Sequence, residues 1–303
     1  MRHSWKLILC ILTLIVVGCS PKVDDGKITI VTTTGIVGDC VREIVGDKAE
    51  VISLMGAGVD PHLYKASQGD IAKLSSADII IYNGLHLEGK MAQMLENYGK
   101  QKQAFAIGNY ISKSDLKRVD SNSDLVDPHV WFNPKLWMQG LGGVAKELDK
   151  IDGLSGTLVN FEAYRKRVEA LELELNEGLD STLVEQGQRI LITSHDAFEY
   201  FGDAFHFKVR GLQGISTAAE YGAKDVKDLI DFIIENKIKS VFIETSVSDK
   251  NLKAVIEGAK ARGYNLKIGG TLYSDALGEA NTNAGSYIGM LQANINTIIE
   301  GLK

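Results

Sequence analysis

Proline and cysteine are both scarce in this chain, and the few that occur fall in informative places. Four prolines serve 303 residues, and two of them stand in one repeated tripeptide, Asp60-Pro61-His62 and Asp127-Pro128-His129. Cysteine occurs three times, at 10, 19 and 40, too rarely for a disulfide-stapled scaffold, so the fold has to hold by its core. No apolar run approaches the ~20 residues of a membrane-spanning helix; Leu7–Val17 stops at 11. Positive charge is in deficit as well. Against 39 Asp and Glu stand 33 Lys and Arg, for a net charge of −6 and no basic stripe, which argues against a nucleic-acid partner.

What is present begins with a short basic head, MRHSWK, followed by the 11-residue apolar run, the pattern of a secretory leader. Val16-Val17-Gly18-Cys19 resembles the bacterial lipobox, in which the cysteine becomes the lipidated first residue after cleavage. Residues 1–18 are therefore expected to be a lipoprotein signal peptide, Cys19 the lipidation site and 19–26 a polar tether. Cys10 leaves with the leader and Cys19 takes lipid. Cys40 is then alone and is read as a small buried hydrophobe.

The remaining chain is organised around one stretch, 156–185. Apolar or aromatic residues recur there at Phe161, Tyr164, Val168, Leu171, Leu175 and Leu179, in steps of three and four, with charged residues between them. This spacing predicts a long amphipathic helix over 155–185, with Ser155 or Thr157 as its cap. On both flanks β-rich runs alternate with helical ones. ITIVTTT, AEVISLM, DIIIYNG and the run around Phe105 precede the helix; RILITSH, HFKVRGL, SVFIETS and LKIGGTLYS follow it. Alternation of this kind predicts an α/β fold with two doubly wound lobes, 27–154 and 186–303, joined by the single long helix.

Ligands in such sheets bind beyond the carboxyl ends of the strands. His62, His129, His195 and Asp275 all fall at such ends, two in each lobe, where a cleft would gather them. Proline stiffens the loops that present His62 and His129, as a metal site requires. His86 lies near another strand end and is a weaker candidate, and His206 reads as structural. Glu244 ends SVFIET where a fifth ligand or a carboxylate behind a histidine fits. Glu220, Asp60 and Asp127 compete for that backing role, and Tyr64 and Trp131 read as packing.

The motifs Val59–Tyr64, Tyr82–Glu88, Asp127–Trp131, Thr193–Phe198 and Tyr273–Leu277, in this order and spacing, resemble the zinc/manganese solute-binding lipoproteins of bacterial ABC importers. The resemblance implies two α/β lobes about one rigid helix and one Zn2+ or Mn2+ per chain, held by His62, His129, His195 and Asp275. It implies an exported monomer, anchored at Cys19 on the outer face of the cell membrane or in the periplasm, that delivers the ion to an ABC permease. It implies no enzyme activity.

The choice of ion stays open at this point. Three imidazoles and a carboxylate suit zinc, whereas a bidentate Asp275 makes room for manganese. Relatives dedicated to zinc often carry a histidine-rich loop before the second ligand, yet residues 110–128 contain no histidine. Relatives dedicated to manganese tend to place glutamate where this chain has His195. Two other functions would use the same exterior: a metallohydrolase with Glu220 or Glu244 as base, or a cell-surface adhesin. Neutral imidazole is the binding form, so protons are expected to compete near the unperturbed histidine pKa of about 6.5.

Overall fold

The computed structural model describes residues 26–119, 124–183, 189–219 and 221–303. Cys19 and Glu220, and with them the leader and residues 19–25 of the tether, lie outside these described residues. The β-branched runs form β1 (Ile28–Thr32), β2 (Ala49–Ser53), β3 (Ile79–Tyr82) and β4 (Gln103–Ala106), a parallel sheet in the order β2-β1-β3-β4. After the long helix, β5 (Ile190–His195), β6 (Lys208–Gln213), β7 (Ser240–Glu244) and β8 (Lys267–Leu272) repeat the order as β6-β5-β7-β8, again parallel. Both sheets are covered by helices, and so Ile79, Ile80 and Ile81 of β3 are all buried despite pointing to alternate faces.

The helices in chain order are α1 (Gly35–Val45), α2 (Gln68–Ser76), α3 (Ala92–Gly99), α4 (Pro134–Leu148), α5 (Thr157–Thr182), α6 (Glu199–Phe205), α7 (Ala223–Glu235), α8 (Lys250–Ala261) and α9 (Tyr287–Leu302). Several start where sequence chemistry dictates. Thr34 caps α1, Ser67 and Asp70 make a reciprocal capping box on α2, and Asn133 caps α4 with Pro134 in its first turn.

With 26 residues, α5 runs about 39 Å. All six residues of its expected apolar stripe, Phe161 to Leu179, are buried. Its start differs from the expectation. Neither Ser155 nor Thr157 is the cap: Gly156 occupies that position at φ 92° and caps with no side chain. Asp149, at the end of α4, supplies the acceptor instead, its Oδ1 receiving Gly156 N–H at 2.7 Å and Leu158 N–H at 3.3 Å. Those hydrogen bonds hold the Asp149 carboxyl below its usual pKa.

The stripe of α5 lies inside one apolar core that also takes in Val41 and Ile44 of α1, Leu141 of α4, Leu191 of β5, Phe201 of α6 and Ile295 of α9. Both lobes therefore contribute to a single core around α5. Smaller clusters fill the far side of each sheet, Leu74, Ile80 and Leu95 in the first lobe and Leu229, Val241 and Val255 in the second. Cys40 is buried in the shared core with its thiol pKa pushed up by burial, accepting from Trp137 Nε1 at 3.3 Å. Among the described residues no helix is long and apolar enough to cross a membrane.

Candidate metal centre

His195 is the last residue of β5 and Glu244 the last of the adjacent β7, so parallel pairing sets the two side by side at the carboxyl edge of their sheet. Glu244 grips the histidine twice: Oε1 accepts its backbone N–H at 2.9 Å and Oε2 lies 2.5 Å from Nδ1. The ring is thereby turned with Nε2 toward the cleft. On the other flank β6 passes so close that a Cβ on Gly211 would fall 2.6 Å from the His195 carbonyl carbon, which leaves room only for glycine.

His129 is held in the same manner by a residue two positions away. Asp127 Oδ1 accepts both His129 N–H at 2.9 Å and Nδ1–H at 2.6 Å. The carbonyl of Pro128 between them receives Asn83 Nδ2 at 3.0 Å, and buried Glu88 fixes Asn83 in turn by accepting the N–H groups of Asn83 and Gly84. His62 follows β2 in the loop 56–64, and Asp60 Oδ1 accepts its N–H at 2.8 Å. Asp275 lies three residues beyond β8, and the Trp131 indole N–H donates to the neighbouring Ser274 carbonyl at 3.1 Å.

These four residues converge. His62, His129, His195 and Asp275 are at most 5 % exposed, and one ligand atom from each lies within 4.8 Å of the others. The Nε2 atoms of His62 and His129 are 3.2 Å apart; Asp275 Oδ1 is 3.4 Å from His129 Nε2, and Oδ2 is 3.4 Å from His195 Nε2 and 3.9 Å from His62 Nε2. Metal–ligand bonds of about 2.1 Å in tetrahedral array put ligand atoms about 3.4 Å apart, so the spacing matches a shell around one cation. His195 Nε2 and both Asp275 oxygens are buried without a hydrogen-bond partner. Buried polar atoms of this kind are normally satisfied, and here a cation at their centre would satisfy all three. Since both oxygens face the imidazoles, the carboxylate can bind through one or through both.

The electrostatics of the site follow from the carboxylates behind the rings. Burial disfavours His129 as imidazolium, but the Asp127 carboxylate outweighs it and raises the pKa to about 9. His195 is likewise raised well above its ordinary value against burial, by Glu244 and Asp275. His62 is pushed down to about 3 by burial and by its two histidine neighbours. Asp275, though buried, is held well below the carboxylate range by His195 and His129. Protons therefore compete for His129 and His195 at a higher pH than the unperturbed value of about 6.5 suggests.

Of the remaining candidates, Asp127 and Glu244 take the backing role, while Asp60 turns its second oxygen elsewhere. His86 lines a separate cavity of about 570 Å³ beside α3, and His206 ends α6 in a left-handed conformation. Trp131 does more than pack: besides its bond to Ser274 it meets the His129 ring edge-on at 5.2 Å. An indole bridging the two lobes leaves no trace in local spacing.

Residues 30–301 match the family of zinc-uptake complex component A, periplasmic. The chain belongs to that family. Across all of both chains it is 42 % identical to the manganese-binding lipoprotein MntA of Bacillus subtilis. It is 40 % identical to the zinc-binding protein TroA of Treponema pallidum, over 94 % of this chain and 92 % of that one. The solved structure of the periplasmic zinc-binding protein TroA superposes with a TM-score of 0.86 over 91 % of this chain and 99 % of that one. Family membership thus agrees with the two-lobed α/β fold and with a solute-binding role for the component.

Proposed function

We propose that this protein is the extracytoplasmic solute-binding component of an ABC importer, and that it captures one zinc or manganese ion between its lobes. His62, His129, His195 and Asp275 hold the ion, with Asp127 and Glu244 fixing two of the rings. The observation that carries the reading is the buried cluster in which His195 Nε2 and both Asp275 oxygens face one centre with no other partner. The ion is cargo, handed on to a membrane permease. Relatives named for manganese and for zinc at nearly equal identity support both ions, and so does a carboxylate free to bind through one oxygen or two. Of the two bases weighed for a metallohydrolase, Glu244 has both oxygens committed to His195 and Glu220 lies outside the described residues; no observation favours that activity or adhesion.

Elemental analysis of protein purified without chelator, followed by competition between zinc and manganese, tests this reading. The expected result is one metal per chain in the parent and at least a hundredfold weaker binding in His129→Ala; undiminished binding in that variant would sink the ligand assignment. We also propose that the chain acts as a monomer tethered through lipid at Cys19. Cys19→Ser should abolish acylation and release the protein from membranes, as fractionation and intact mass would report.

A further inference from the structure

The two Asp-Pro-His tripeptides fold alike but use their carboxylates differently. In each, the aspartate Oδ1 accepts the histidine N–H, at 2.8 Å for Asp60 and 2.9 Å for Asp127. Asp127 Oδ1 also takes the ring of its own histidine. Asp60 instead turns Oδ2 across the cleft, where it accepts the Thr217 hydroxyl of the opposite lobe at 2.6 Å. Thr217 stands in the loop after β6, and that loop is braced from the strand end: Gln213 Nε2 donates to the carbonyls of Thr217 at 3.4 Å and Ala219 at 3.5 Å.

Two of the three imidazoles are therefore clamped through the ring by a carboxylate, while His62 is positioned by its loop. The loop is in turn tied to the second lobe through Asp60 and Thr217. His62 is 5 % exposed and Leu63, the next residue, 48 %, so the loop lies at the surface with His62 turned inward. Swinging it outward would remove one ligand and uncover the ion, while His129, His195 and Asp275 kept their places.

We infer that Thr217 is a positioning residue for His62, and that its bond to Asp60 is the latch that sets how long a bound ion stays. This rests on the reading that the four residues hold a divalent metal. Partners behind metal ligands typically change affinity by about 10–100-fold when removed. For Thr217 the change should appear in the rate of release.

The test uses the full chain loaded with zinc and mixed with excess chelator, comparing the parent, Thr217→Val, which removes the hydroxyl at nearly constant shape, and Thr217→Ser, which keeps it. Zinc release from Thr217→Val should be about tenfold or more faster than from the parent. Thr217→Ser should match the parent, and all three should melt at the same temperature without metal. Parent-like release from Thr217→Val, or equally fast release from Thr217→Ser, overturns the latch, as does a lower metal-free melting temperature in Thr217→Val that accounts for its faster release. If the parent itself takes up neither zinc nor manganese, the metal-binding reading fails and the latch with it; a parent that binds beside a Thr217→Val that behaves identically removes the latch alone.

Discussion

At His129 one carboxylate oxygen sets the orientation of a ring and its basicity together, and this fixes how metal uptake depends on pH. Asp127, with Asp275, raises the pKa of His129 to about 9, and on the proposed ligand assignment that proton has to leave before the ring binds metal. Apparent affinity should therefore climb between pH 6.5 and 9, by up to about tenfold per unit for each proton released. Calorimetry in buffers of different ionisation enthalpy should find close to two protons released per metal at pH 7, from His129 and His195. Asp127→Asn should lower that count by about one and weaken binding about 10–100-fold. Stability follows the same shifts. In the metal-free protein the contribution of His129 is complete below its unfolded pKa of about 6.5 and is lost as pH rises through about 9. His62 has the opposite sign, with its contribution complete above about 6.5 and lost as pH falls toward about 3. Asp127 was legible in the sequence as one of three competing carboxylates, two residues from its ring. Glu244 was legible only as a carboxylate at a strand end, because its partner lies 49 residues away and strand order alone brings them together.

On the scale of elements, α5 carries the largest consequence. Leu179 is fully buried in the shared core near the end of that helix, so Leu179→Ala should cost about 2–5 kcal/mol, read from chemical denaturation at an unchanged m-value. The stripe that predicts this was visible because 3.6-residue periodicity is a local property, and the inner strands β1, β3, β5 and β7 were visible because doubly covered parallel strands are largely apolar. The edge strands β2, β4, β6 and β8 are more exposed and were legible from their place in the alternation. The cap of α5 was not. Its acceptor sits on the preceding helix, seven residues before the first N–H it receives, while Ser155 and Thr157 offered the expected chemistry nearer by. Thr217 was hidden for a similar reason, since its bond to Asp60 spans 157 residues.

For the whole molecule, the core that runs through α5 predicts that the lobes unfold as one cooperative unit. Calorimetric unfolding of the metal-free chain should show a single transition, with the calorimetric and van't Hoff enthalpies equal within error. Two resolved transitions would show that the lobes hold separately. The same continuity opposes wide hinge opening, because separating the lobes would expose Phe201, Ile295 and their neighbours to water. Solution scattering should accordingly give one radius of gyration with and without metal, with change confined to the loops at the cleft.

The carboxylates behind the rings bear on what a membrane partner can sense. Asp127, Glu244 and Asp275 bring three negative charges to the site. At neutral pH two imidazolium protons offset two of them in the metal-free protein, since His129 and His195 are raised and His62 is not. A divalent ion that displaces those two protons leaves the same net charge. On the proposed ligand set, exchanging two protons for a divalent ion leaves the summed charge of these six side chains unchanged, so loading is expected to alter the long-range field at the importer little. A permease that engages only the laden form has to read it at contact range, from the set of the loops around the cleft.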